Sequence, residues 1–278
     1  MRSGWDRDAL GMVLDAGPLG CPVSAAHGHA DLLSLQCWAL GQPWIVDAGT
    51  GCYTPEPTWR AYFRGTAAHN TVRVDQLDQA EVAGPFSWRT RPAAQLRGWS
   101  SSEACDSADA EHHGYQRLSD PVTHRRRVLF VKPHYWVVVD DLEGAAHHEV
   151  ELRFHLSVTP DLDSSGAACL RRGGKAFWIL PFSAGSLEPL VQTEWRSPAY
   201  GRREEAPVLI YRSRGELPLR VATLLMPAAD TSAPSPRVEA LRSEAGNRLS
   251  GLLVHEHQHC IHFDDDFLTL EAAPCAGL

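Results

Sequence analysis

At 278 residues, with 44% hydrophobic and 22% charged content, the chain is long enough for a sizeable core and ordinary for a globular protein. A formal net charge of −8 argues against the broad cationic surface that nucleic acid or acidic membranes require, yet leaves room for an anionic sugar gripped by a few local arginines. No run approaches the roughly 18 apolar residues of a membrane-spanning helix. The charged start Met1-Arg2-Ser3-Gly4-Trp5-Asp6-Arg7-Asp8 shows no signal peptide, and seven Cys at irregular spacing (21, 37, 52, 105, 169, 260, 275) form no disulfide framework or CxxC pair.

In chain order, the chemistry is concentrated between residues 24 and 81. His27-Gly28-His29-Ala30-Asp31 places two imidazoles two residues apart. In extended chain such residues share a face about 6.6 Å apart. Both can then enter one site, one holding a metal and the other facing a substrate; hydrogen-bonded or exposed loop histidines fit the same pattern. Asp47 ends the apolar run Trp44-Ile45-Val46 before a Gly-Thr-Gly turn, which suits a metal ligand and equally an Asp capping its own turn. Arg60 and Arg64, four apart, share one face of a helical turn and are placed to grip carboxylate or sulfate groups. Tyr53, Trp59 and Tyr62 offer flat surfaces for sugar rings; ordinary surface packing is the alternative for all five. His69 stands before the strand-like run Asn70-Thr71-Val72-Arg73-Val74. Two His and one Asp make a donor set that suits Zn²⁺ with an open fourth position.

Beyond residue 81 short β-branched runs dominate. Arg125–Lys132 and His134–Asp141, parted by Pro133, read as a hairpin. Residues 149–156 alternate as a half-buried strand, and 176–180, 208–212, 219–226 and 252–255 continue the series. Arg171-Arg172-Gly173-Gly174-Lys175 reads as a tight turn and 228–237 as a surface loop. Arg125-Arg126-Arg127, His112-His113 and His147-His148 read as solvated surface. His255-Glu256-His257-Gln258-His259 matches HExxH, but its flanks are strand-like, and on a strand His255 and His259 would stand about 13 Å apart, too far for one zinc. Asp264-Asp265-Asp266 lacks the spacing of a calcium loop. The pattern predicts an all-β chain, one large antiparallel β-sandwich over 1–278.

The runs HGHADLLS, VDAGTG and WRAYFRGTAAHNTVRVDQLDQAE resemble the heparinase II/III-like polysaccharide lyase family across roughly residues 1–90. The resemblance implies a C-terminal β-sandwich that works against an N-terminal α/α toroid, with β-elimination of uronate polysaccharides such as heparin, heparan sulfate or alginate in the cleft between them. It implies zinc, as an anchor, on His29, Asp47 and His69, with His27 facing the substrate, and a periplasmic or secreted location. Asp31 is expected to support a ligating histidine. The family's catalytic tyrosine and its carboxylate-neutralising Asn or His usually lie in the toroid, which does not precede residue 1. The expectation is therefore a lyase half, weak or inactive alone. Its alternatives are a non-catalytic carbohydrate-binding or structural module, and a metal-dependent hydrolase with Asp31 as base.

Overall fold

The sequence signals strands, but not how many faces of each are covered. In the computed structural model, which describes residues 1–243, 248–265 and 267–272, the expected antiparallel β-sandwich is present, its sheets stacked in three layers. Asp266 and Cys275 lie outside the described residues. The middle layer is an eight-stranded antiparallel sheet, ordered Asp161–Leu162, Ala168–Arg172, Lys175–Ser183, Leu219–Ala228, Tyr135–Glu143, Val122–Val131, Cys105–Tyr115, Ala94–Ser101. One of its faces meets the sheet Glu188–Arg196, Glu204–Glu216, His147–His155, Val72–Val74, together with the N-terminal ribbon Gly11–Leu14, Leu35–Ala39, Gln42–Ile45. The other meets an outer sheet, Val238–Arg242, Leu249–Val254, His259–Phe263, Leu268–Ala272.

Two cores explain why the strand Tyr135–Glu143 carries apolar side chains on both of its faces. Along Tyr135–Glu143, Trp136, Val138 and Leu142 enter the first core, while Tyr135, Val137 and Val139 enter the second. Fully burying an apolar side chain of this size is worth about 1.5–3 kcal/mol. Both faces of one strand therefore contribute. The expected hairpin is present, with Val131 opposite Tyr135, and Gly173 and Gly174 make the expected tight turn at φ +56° and +75°.

Several polar runs read as surface are interior. The strand Val122–Val131 is third from the edge of its sheet, so its arginines cannot reach water from both faces. Arg126 is fully buried against Asp140, and Arg127 pairs with Asp141 on the opposite face. His112 is buried, and His148 sits between Asp75 and Asp120 at 2.7 and 2.8 Å. The strand His147–His155, expected to be half-solvated, also buries Glu151, Arg153 and His155. The HExxH run begins as a 3₁₀ turn, His255–His257, and not as a strand; His255 faces Glu239 at 3.8 Å.

Candidate functional site

The loop Ala25–Ser34 carries His27, His29 and Asp31, and the rest of the fold stitches it down by its backbone. The Ala30 amide donates to the Arg64 carbonyl at 2.8 Å, and Thr66 Oγ1 donates to the Ala30 carbonyl at 2.9 Å. Buried Gln79 brackets Leu32, accepting from its amide at 2.9 Å and donating to its carbonyl at 3.0 Å. Gly28 is required for this seating. A Cβ there would lie 2.9 Å from Leu19 Cδ2 and 3.2 Å from Gly20 Cα. Leu33, held at φ +62°, offers its carbonyl to Arg126 Nη1 at 2.7 Å.

His69 arrives from another direction, after the 3₁₀ turn Thr66–Ala68. Its neighbour Asn70 donates to the Leu35 and Val46 carbonyls, both at 2.8 Å, and accepts from the His155 amide at 2.6 Å. One buried amide side chain thus fixes the segments bearing Asp31, Asp47 and His69 relative to one another. The Asp47 loop turns at Gly49, φ +83°, where a Cβ would come within 2.2 Å of the Ser197 carbonyl oxygen.

These constraints bring His29, Asp31 and His69 together, with one potential ligand atom of each lying within 4.8 Å of the others. His69 Nδ1 is bonded to Asp47 Oδ2 at 2.7 Å, whereas its buried Nε2 has no hydrogen-bond partner. The expected ligand Asp47 is therefore not in the tight cluster. Its Oδ2 is spent on His69 and its Oδ1 on the Gly49 amide at 2.7 Å, so it orients the ring, and Asp31 supplies the converging carboxylate. The electrostatics are divided accordingly. Burial, with the neighbouring His69 and Arg60 charges, lowers His29 to about 3, so its imidazole is neutral. Burial raises Asp31 to about 6. Burial opposes charge on His69 too, but Asp47 and Asp31 outweigh it and raise its pKa to about 9. Burial would raise Asp47, and the His69 charge and hydrogen bond override it, holding the carboxyl at about 2.

The four side chains assigned to sugar binding divide. Tyr53 stays half-exposed in an aromatic group with exposed His27 (4.9 Å, edge-on), Tyr200 (5.7 Å) and Phe86 (6.4 Å). Arg60 does lie on a helix, Pro57–Arg64, but is buried: Nη1 meets His29 Nε2 at 3.1 Å, Nη2 donates to the Ala26 carbonyl at 3.2 Å, and its guanidinium packs on the Tyr53 ring. Arg60 thus links the aromatic group to the histidine cluster and presents no free fork to a sulfate. Arg64 is fully buried, donating to the Gly84 and Pro85 carbonyls at 2.8 and 2.7 Å and stacking 3.9 Å above Trp88. Tyr62 donates to Glu194 at 3.2 Å and accepts from the Trp195 amide at 3.1 Å, and burial pushes its pKa to about 12. Arg64 and Tyr62 are structural here, because their polar atoms already have protein partners.

Phe86 was not singled out from sequence, and Tyr200 only within the run 195–201, which reads as a loop that could contact sugar. They come from a hairpin tip and a loop far apart in the chain, and only the fold places them beside Tyr53. Trp88 shows how the hairpin is secured: its Nε1 donates to the Ala25 carbonyl at 3.2 Å. Replacing Arg64 with Ala is expected to cost about 3 kcal/mol, because it empties a fully buried site and removes the hydrogen bonds to the Gly84 and Pro85 carbonyls. Thermal denaturation measures it, and an unchanged midpoint would show that the pin is dispensable.

The comparisons with known proteins agree with this architecture. A profile of the family described as heparinase II/III-like, C-terminal, matches residues 2–241, and the chain belongs to that family. A heparin-sulfate lyase of Bacteroides stercoris is 24% identical over 249 residues, covering 86% of this chain and 34% of the relative. One from Pedobacter heparinus is 26% identical over 158 residues, 56% of this chain and 21% of that protein. Among solved structures, a heparinase III superposes with a TM-score of 0.76 at 22% identity, over 98% of this chain and 40% of that one. The heparan sulfate lyase HepC of Pedobacter heparinus gives 0.75 at 19% identity, over 98% and 40%. The fold is thus shared, and the chain spans about a third of the first of these relatives and two fifths of the solved chains.

Proposed function

We propose that this chain is the β-domain of a polysaccharide lyase that cleaves a uronate-containing anionic glycan by β-elimination, working with a helical domain on the same or another chain. The observation that carries this reading is the convergence of His29, Asp31 and His69 beneath exposed His27 and its aromatic group, in a member of this family. The named relatives, heparin-sulfate lyases, support a sulfated glycosaminoglycan as substrate, with alginate a further candidate.

A zinc ion fits the cluster. The donors are two imidazoles and a carboxylate, His69 Nε2 is buried without a partner, and Asp47 orients the His69 ring as carboxylates orient ligating histidines. His29, Asp31 and His69 would hold it, and when bound it would supply positive charge and rigidity beneath the sugar. The remaining work falls to the chain's own side chains. Elimination removes the proton α to a carboxylate and returns a proton to the leaving oxygen. His27 is the exposed imidazole at the site and is assigned one of these transfers, its type being suited to proton exchange near neutrality. Tyr53, Phe86 and Tyr200 provide flat apolar surface for sugar rings, and Arg60 holds Tyr53 and His29 in register.

The test is incubation with heparin, heparan sulfate and alginate, following ultraviolet absorbance of the unsaturated product, with this chain alone and with a longer protein that includes the helical domain. Product from the longer protein on at least one glycan is expected. Zinc bound, fold intact and no product from either on any glycan would overturn the lyase reading in favour of a binding module.

A further inference from the structure

The second concentration of imidazoles lies far from the first in the chain and has no role in the reading above. His134 occupies the turn between Val122–Val131 and Tyr135–Glu143 in the middle sheet, and His257 and His259 flank the turn between Leu249–Val254 and His259–Phe263 in the outer sheet. Gln258 adopts φ +52°, reversing the chain so that the His257 and His259 rings stack with centroids 5.6 Å apart. The His134 ring stands 4.3 Å from that of His257. Three imidazoles from two layers therefore meet at one partly exposed edge.

Their hydrogen bonding marks this as more than packing. Neither His134 nor His257 gives a ring nitrogen to a hydrogen bond with any described residue. His259 uses one only, with Nδ1 at 2.7 Å from the Tyr135 hydroxyl. When that Nδ1–H donates to the tyrosine oxygen, Nε2 keeps its lone pair, the arrangement by which a neighbouring group prepares a histidine for a metal. His255 and Glu256 are engaged elsewhere, with Glu239 and the Arg237 amide.

We propose that His134, His257 and His259 form a second metal site, for a divalent transition ion, that ties the outer sheet to the middle one. Imidazole-only donors select Ni²⁺, Cu²⁺ or Zn²⁺ over the oxygen-seeking Mg²⁺ and Ca²⁺. The ligand nitrogens of the three do not all lie within 4.8 Å of one another as they stand, so closing on an ion requires side-chain rotation, for which exposed His134 has room. Because binding favours the folded state alone, the ion would raise the melting temperature.

Calorimetric titration with Ni²⁺ alone tests this on the full chain and on His134→Gln, His257→Gln and His29→Gln variants. The expected result is a Ni²⁺-binding event that persists in His29→Gln and is weakened about tenfold or more in His134→Gln and His257→Gln, with the Ni²⁺-dependent rise in melting temperature reduced in those two. An event unchanged in both His134→Gln and His257→Gln would overturn the proposal, as would its loss only in His29→Gln. Paramagnetic broadening of the His134, His257 and His259 imidazole signals in the unsubstituted protein gives a readout that depends on no variant folding. Its absence at saturating Ni²⁺ would also overturn the site.

Discussion

Replacing Asp140 with Ala is expected to destabilise the protein by about 3–5 kcal/mol, because it strands the buried charge of Arg126. Asp140 is fully buried, accepting from Arg126 Nε and His124 Nε2, both at 2.7 Å, and from Arg126 Nη2 at 3.2 Å. Burial alone would raise its pKa; the Arg126 charge and the His124 hydrogen bond outweigh it and hold the carboxyl at about 2. That depression implies a pH dependence of definite sign. The contribution is fully present above the ordinary value of 3.8 and is lost as pH falls through about 2. It amounts to about 2 kcal/mol. Denaturant melts of the wild type and Asp140→Asn should therefore differ by a constant amount from pH 5 to 8, begin to approach each other below pH 4 and converge as pH falls through about 2. Damage would reach the site as well, since Arg126 Nη1 also holds the Leu33 and Asn70 carbonyls at 2.7 and 2.8 Å. A cost below about 1 kcal/mol would mean that Arg126 finds another counter-charge.

A second expected result separates the two carboxylates of the candidate metal centre. Asp31 converges with His29 and His69, whereas Asp47 bonds the far nitrogen of His69. Asp31→Ala removes a ligand and should weaken zinc binding by more than about a hundredfold, while Asp47→Asn, which perturbs only orientation and ring basicity, should cost about ten- to a hundredfold. Competition with a chromogenic chelator reads both. The reverse order would return Asp47 to the ligand set implied by the family resemblance and make Asp31 its support.

How much of this was legible in the sequence follows from what alternation can and cannot encode. The hairpin at Pro133, the turn at Gly173-Gly174 and the end of the strand Leu249–Val254, read as 252–255, were readable, because turn chemistry and apolar runs are local. The third layer was not. A strand covered on both faces differs from a half-covered one only in its neighbours, so Arg126, Arg127, His112 and His148 read as solvated until their partners Asp140, Asp141, His124 and Asp75 were placed beside them. At the site, His29 and His69 lie together, and the carboxylate with an atom within 4.8 Å of both is that of Asp31, whereas the resemblance implied Asp47. The same two-residue spacing that linked His27 to His29 applies equally to His29 and Asp31, and that was the available signal. Arg60 and Arg64 were placed on one helix as expected, yet the residue types said nothing of the waiting carbonyls of Ala26, Gly84 and Pro85 that claim them.

The most direct test of the central claim is the rate of unsaturated product formation by the catalytically competent protein carrying His27→Ala, measured beside its glycan affinity and zinc content. A general acid–base role predicts a rate lower by about 10²–10⁴-fold with affinity and metal content nearly unchanged. A rate equal to that of the unsubstituted protein would contradict the assignment of His27 and leave the domain as a scaffold for chemistry performed elsewhere.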